Sequence, residues 1–210
     1  SKAREALPPL LEFVDGRKVD SIAAWPERRE ESRALLVEHF SGSYPEQTAA
    51  ILSAEVTASK THEDGSVRGR IRVVLDTPRR VAFEMALWAP SGAGPFPLLL
   101  TAPRFYQRYW AEDALERGYA VCLFPGVDSH HREADYAGYD SVWQTVRREF
   151  PDATWTEIST KAWLASRCID YLLGDSSLVK ISPGQIANIG YSRYAKQAMI
   201  AGAFDERITC

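Results

Sequence analysis

A short apolar run ends at Gly190, Ser192 follows two residues later, and a helix of small residues begins at once and continues to Phe204. This is the layout of a nucleophile elbow, in which a tight strand-to-helix turn lifts a serine hydroxyl above the end of a parallel sheet. A hydroxyl held there attacks an electrophilic carbon once a neighbouring imidazole accepts its proton. The alternative for Ser192 is the ordinary one of a serine capping a helix. Strand and helix backbones nearly touch at an elbow, so small residues are needed two positions on either side of the serine. Gly190 supplies the first. Ala195 lies three positions after Ser192, displaced by one from a plain G-x-S-x-G pattern.

Arg193 offers two donors of different kinds. Its main-chain N–H is placed to meet an oxyanion developing beside Ser192, and its guanidinium can add a fixed positive charge there. Against this stands a solvated arginine in the first turn. The helix dipole disfavours a cation at that end, which tilts the reading towards function. Lys196 lies four residues after Ser192, one helical turn away on the same side.

The elements that must position these residues follow from the rest of the chain. At 210 residues, with 45% hydrophobic and 25% charged residues and a net charge of −3, it has the make-up of an ordinary globular protein with a substantial core. That charge gives no case for a nucleic-acid partner. No apolar stretch approaches the ~20 residues that span a bilayer, so no membrane segment is expected. The run from Phe96 to Leu100 is broken by Pro97 and followed by Pro103. Cys122, Cys168 and Cys210 show no metal-ligand spacing and are too few for a disulfide framework, and the first two read as buried, inert thiols. The chain opens at Ser1, with no signal-peptide pattern.

Residues 1–50 read as an N-terminal approach segment with one helix, from Pro26 to about Phe40, and residues 51–210 as the principal domain. Val67 to Leu75 alternates in part, and Val81 to Trp88 more clearly, about a turn at Asp76 to Arg80, which predicts an antiparallel hairpin. Then the texture changes. Phe96 to Thr101 predicts a buried strand, Trp110 to Arg117 a helix closed by Gly118, and Tyr119 to Phe124 another strand. A long loop is expected from Pro125 to about Pro151, followed by a helix capped by Asp152 and running to about Leu173. Along it Trp155, Ile158, Ala162, Ala165, Ile169 and Leu172 form one apolar stripe. After the elbow, Ile208 to Cys210 reads as the start of a further strand. The fold class is therefore α/β, a mostly parallel, doubly wound sheet with an N-terminal antiparallel hairpin.

With the elbow in this setting, Gly190-Tyr-Ser-Arg-Tyr-Ala-Lys196 is similar to the G-x-S-R-x-G-K pattern of the glucuronoyl esterases and their acetyl-xylan-esterase-like relatives, a carbohydrate-esterase branch of the α/β hydrolases. Ala195 stands where that pattern has glycine. Ala203-Phe-Asp-Glu-Arg-Ile208 resembles the segment after that elbow, Ala165 to Leu172 the helix before it, and Asp15-Gly16 with Val19, Trp25, Arg28 and Arg29 the N-terminal approach. The resemblance implies a serine carboxyl-ester hydrolase working through an acyl-enzyme on glucuronoyl or acetyl esters of plant cell-wall xylan, secreted or periplasmic, with no metal or other cofactor. It implies Ser192 as nucleophile and Arg193 as oxyanion donor. For Lys196 it implies a contact to sugar hydroxyls, alongside the alternative of a solvated surface lysine.

Aromatic residues crowd the stretch from Phe105 to Trp163, and flat rings are what sugar faces stack against. Most of them belong in a core. Tyr106, Tyr109 and Trp110 follow the strand ending at Thr101, on the segment that normally supplies a second oxyanion donor, so Tyr106 and Trp110 are substrate-binding candidates. His130-His131 lacks a metal partner at i+4, and as a base it would precede the serine, against the nucleophile–acid–histidine order of the fold. His39 and His62 offer nothing more. Only 18 residues follow Ser192 and none is histidine. The sheet is accordingly expected to be incomplete at Cys210, with the acid and histidine beyond it and a downstream segment as required partner. Two other readings stay open, a peptidase of the same fold and a catalytically inactive, carbohydrate-binding relative.

Overall fold

The computed structural model describes residues 9–45, 49–103, 105–126, 142–174 and 177–210, apart from the side chains of residues 105–108. The chain divides into two compact units, Ser1–Ser43 and Tyr44–Cys210.

In the first unit a turn at Asp15-Gly16 places Gly16 at φ 90°, a conformation open to glycine. The Gly16 N–H donates to the Phe13 carbonyl over 3.0 Å. Helix α1 (Trp25–Leu36) begins with Pro26 in its first turn, where a missing N–H costs nothing, and runs on into a π-helical turn at Val37–Ser41.

The second unit is built on a six-stranded sheet of order β1-β2-β3-β5-β4-β6, whose strands are β1 (Ile51–Thr61), β2 (Val67–Leu75), β3 (Ala82–Ala89), β4 (Phe96–Thr101), β5 (Ala120–Leu123) and β6 (Ile181–Asn188). The expected hairpin is β2 paired with β3, closed by a bond from the Leu75 N–H to the Val81 carbonyl. The run before it adds β1 as a third antiparallel strand. β3 pairs antiparallel with β5, whereas β4 pairs parallel with both β5 and β6. The sheet is thus mixed, and the parallel character expected of most of it is confined to its second half. Beyond β6, the Thr209 N–H donates to Ile186 and the Asn188 N–H to Cys210, so the residues expected to start a further strand lie along the β6 edge.

Helices cover both faces. Helix α2 (Phe105–Glu116) packs Ala111 and Leu115 on Ala86, Trp88, Val121 and Leu123. Helices α3 (Val142–Glu149), α4 (Glu157–Leu172) and α5 (Arg193–Phe204) lie on the other face, where Val146, Trp163, Leu164, Cys168 and Tyr194 meet Ile71, Met85, Leu98, Leu100, Cys122 and Ile186. Each fully buried Leu or Ile there contributes about 1.5–3 kcal/mol relative to exposure. Cys122 and Cys168 are both fully buried, as expected of inert thiols, and burial pushes the Cys168 thiol up.

Three boundaries differ from expectation. α2 starts five residues early, at Phe105. The segment expected to be a loop contains α3, an amphipathic helix with Val142 and Val146 inward. α4 is capped by Thr156, whose hydroxyl accepts the Ser159 N–H at 3.3 Å, not by Asp152. Trp155 is buried as predicted, yet it precedes the helix. His130, His131, Tyr136 and Tyr139 lie outside the described residues.

Candidate active site

Strand β6 leaves the sheet at Asn188, and the Ile189 N–H still donates to the Leu100 carbonyl of β4. Four residues later α5 begins. So sharp a reversal requires unusual backbone, and it is concentrated at Ser192, with φ 57° and ψ −121°. Among the described residues only Arg80 shares a positive φ without being glycine. A non-glycine residue in such a region carries of order 1–3 kcal/mol of strain and persists only where its surroundings enforce it.

Those surroundings are the neighbouring backbone. A Cβ on Gly190 would stand 2.2 Å from the Tyr194 carbonyl oxygen, 2.3 Å from its carbon and 2.6 Å from the Ala195 nitrogen. The strand exit therefore lies directly on the Tyr194–Ala195 peptide, and this contact admits only glycine. It also accounts for the displaced small residue. The crowded element is a peptide plane, so Tyr194 can stand two places after the serine with its ring turned into the core, 3% exposed. The Tyr194 N–H donates to Tyr191 at 3.1 Å and the Lys196 N–H to Ser192 at 3.3 Å, closing the first turn.

Ser192 occupies the helix N-cap position, but its side chain makes no capping hydrogen bond. The ordinary alternative for a serine at a helix start is thereby removed. Ser192, Arg193 and Lys196 are all exposed, on one side of the first turn. Arg193 opens the helix, so its main-chain N–H points out of the positive end of the α5 dipole, beside the serine. An anion forming next to Ser192 would meet both.

The far end of α5 is fixed by charge. Arg207 donates to Asp205 at 2.7 and 2.8 Å, to Asp170 of α4 at 2.7 Å and to the Ser166 carbonyl at 3.2 Å. Burial alone would push the Asp205 carboxyl up. Hydrogen bonds from Arg207 and Ser166 outweigh it and hold the carboxyl below its usual range. Asp205 is thus a structural carboxylate at the α5 C-cap.

Tyr106 and Trp110 belong to α2, which leaves the neighbouring strand β4 and covers the opposite face of the sheet. Trp110 is half-buried, and the Tyr106 side chain is outside the described set. Trp155 and Trp163 stack edge-on at 5.6 Å in the core. His62 sits in the β1–β2 turn, at the opposite end of the strand order from β6, and His39 belongs to the first unit. Among the described residues no group of three His, Cys, Asp or Glu side chains could hold a metal ion, and no helix is long and apolar enough to cross a membrane.

One residue of the elbow helix has no counterpart in the sequence reading. Gln197, fully buried, donates from Nε2 to the Gly126 carbonyl just beyond β5 at 2.9 Å. A glutamine in an amphipathic helix reads as solvent-facing. Its spacing with Tyr194, Ile200 and Ala201 was the available sign that it faces the sheet.

Comparison with known proteins shows the family. A family model described as "Glucuronyl esterase, fungi" matches residues 73–210. The 4-O-methyl-glucuronoyl methylesterase 1 of Wolfiporia cocos is 28% identical over 212 residues, which cover 97% of this chain and 47% of that protein. A multidomain esterase of Ruminococcus flavefaciens is 25% identical over 221 residues, 99% of this chain and 27% of that one. The chain thus spans about half or less of the length of these relatives. Among solved structures, a glucuronoyl esterase from Solibacter usitatus has the same fold, with a TM-score of 0.70 at 24% identity over 97% of this chain and 62% of that chain.

Proposed function

Because the chain belongs to the glucuronyl esterase family, we propose that it carries the nucleophile of a serine carboxyl-ester hydrolase acting on glucuronoyl esters of plant cell-wall xylan. The observation that carries this reading is Ser192 itself, exposed, uncapped and held at φ 57° where a strand meets a helix. Its Oγ attacks the ester carbonyl as an imidazole takes the proton. The carbonyl oxygen becomes an oxyanion facing the Arg193 N–H and guanidinium at the positive end of α5. Collapse of the tetrahedral intermediate expels the alcohol, which takes the proton back from the imidazole. Water then hydrolyses the glucuronoyl–serine ester by the same route. Lys196, one turn on, binds sugar hydroxyls, and Tyr106 and Trp110, in the helix that follows β4, remain the candidates for further substrate contacts.

The imidazole and the acid that orients it are, in this proposal, supplied by sequence beyond Cys210. The order of the fold, in which both follow the nucleophile, supports this. So does the distribution of described histidines, of which His62 lies at the other end of the strand order. A plant-wall substrate places the protein outside the cytoplasm, secreted or periplasmic.

The test is hydrolysis of a methyl ester of glucuronate by the protein carrying this chain, with an aryl acetate as comparison. Turnover that disappears in Ser192→Ala supports the proposal. Turnover that survives the substitution overturns the assignment of the nucleophile, and binding of glucuronoxylan without any hydrolysis marks an inactive relative. Residues 1–210 alone are expected to be inert, because an unassisted serine hydroxyl is a poor nucleophile at neutral pH.

A further inference from the structure

We infer that Gln197 is a positioning residue for this reaction, tying the exit of β5 to the elbow helix and so holding Ser192 in place over the end of the sheet. The inference rests on Ser192 being the nucleophile. Gln197 lies five residues after Ser192 and is fully buried. Its Nε2 reaches the Gly126 carbonyl at 2.9 Å. β4 stands between β5 and β6 in the sheet, so this single amide joins the helix that follows β6 to the chain leaving a strand two places away.

The site is shaped around that amide. A Cβ on Gly126 would fall 2.4 Å from Cε2 of Phe124 and 2.7 Å from Oε1 of Gln197, so the β5 exit passes close against the Gln197 amide and a larger residue there would have to displace it. Gln197 is also a costly way to fill the space. Among the described residues its Oε1 is buried with no hydrogen-bond partner, an arrangement that methionine or leucine of similar volume would avoid. What an apolar residue would not supply is the directional bond to Gly126, which fixes α5 against rotation and sliding over the sheet. Ser192 and Arg193 lie at the start of α5, so any such movement shifts both Oγ and the oxyanion donor. A displacement of about 1 Å near a reacting centre can cost on the order of 100-fold in rate.

The experiment compares wild type with Gln197→Met, Gln197→Glu and Ser192→Ala in the protein carrying this chain. It measures kcat and KM on a glucuronate methyl ester, the rate of inactivation by an aryl fluorophosphonate, and thermal melting. Gln197→Met is expected to fold with KM little changed, while kcat falls roughly ten- to hundred-fold and serine modification slows in parallel. Gln197→Glu adds a pH signature. A buried carboxyl has a raised pKa and, while protonated, can donate its O–H to Gly126. Its kcat relative to wild type should therefore rise as pH falls and decline as pH rises through that pKa. Wild-type kcat and inactivation rate in Gln197→Met overturn the inference, whatever the melting temperature. If Gln197→Met fails to fold, a pH-independent ratio for Gln197→Glu overturns it instead. An active Ser192→Ala would bring down the functional proposal, whereas an inactive Ser192→Ala beside a fully active Gln197→Met defeats only the role of Gln197.

Discussion

Gly190 and the Tyr194 carbonyl are pressed together so closely that a methyl group on the glycine would stand 2.2 Å from the oxygen. No flexible side chain is available to yield, since the other near atoms are the Tyr194 carbon and the Ala195 nitrogen. The geometry of Ser192 is therefore imposed from outside it. The strand exit and the first helical turn are in backbone contact, and the residue linking them must take the conformation that remains.

Gly190→Ala should accordingly force β6 and α5 apart. Overpacking of this kind costs about 1–3 kcal/mol, and for a domain of this size each kcal/mol lowers the melting temperature by roughly 2–4 °C. Activity should fall further than stability does, because the displaced element carries Ser192, the proposed nucleophile. A variant that melts like wild type and keeps its kcat would mean that the close approach is relieved at no cost.

Ser192 itself should be strained in a way that can be measured. Glycine adopts a positive φ without penalty, so Ser192→Gly should melt at a higher temperature than Ser192→Ala, both being inactive. The expected gain is the strain, about 1–3 kcal/mol, less about 0.5–1 kcal/mol for the greater freedom of glycine in the unfolded chain. Equal melting temperatures would indicate that φ 57° is not costly here.

How legible this was in the sequence varies by element. The elbow was readable because an apolar run, a glycine, a serine and a small-residue helix occupy 20 consecutive positions, from Gln185 to Phe204, and depend on local rules. The β2–β3 hairpin was readable because β2 buries one face, with Gly69, Ile71, Val73 and Leu75 inward and Arg70 and Arg72 between them exposed. β1 was not delimited because it is an edge strand exposed along most of its length, and no buried face imprints a period on it. α3 was missed because it is short and its apolar stripe is little more than Val142 and Val146. The extent of the parallel sheet was misjudged for a different reason. Pairing partners are set by crossovers, and β3 joins β5 antiparallel although β4 lies between them in sequence. Gln197 was hidden because its partner, the Gly126 carbonyl, is 71 residues away.

Arg193→Ala should lower kcat by roughly 100-fold, the equivalent of about 3 kcal/mol for one oxyanion donor, with KM changed far less. The guanidinium is proposed to act on charge that exists only in the transition state, and uniform binding of substrate would not show that division. A change confined to KM would make Arg193 a ground-state contact to the sugar. The main-chain N–H survives the substitution, so complete loss is not expected.

The far end of the elbow helix should make the fold sensitive to acid. In the folded chain the Asp205 carboxyl is held below its usual range, because bonds from Arg207 and Ser166 outweigh the effect of burial. A group whose folded pKa is depressed stabilises the fold above its unfolded pKa, about 3.9 for aspartate, and this contribution is lost as pH falls through the folded value. Between these two values the unfolded chain binds more protons than the folded one, so stability rises with pH. Asp205→Asn removes the titration while nearly preserving shape. Its urea midpoint should be lower than that of wild type at neutral pH, since the charged partner of Arg207 is gone. It should also fall less steeply below about pH 5. Asp170 remains on Arg207 in both proteins and keeps part of the acid-side slope. Parallel midpoint curves for the two proteins from neutral pH into acid would show that Asp205 has the same affinity for its proton folded and unfolded, and that the C-cap of the elbow helix is not held by charge.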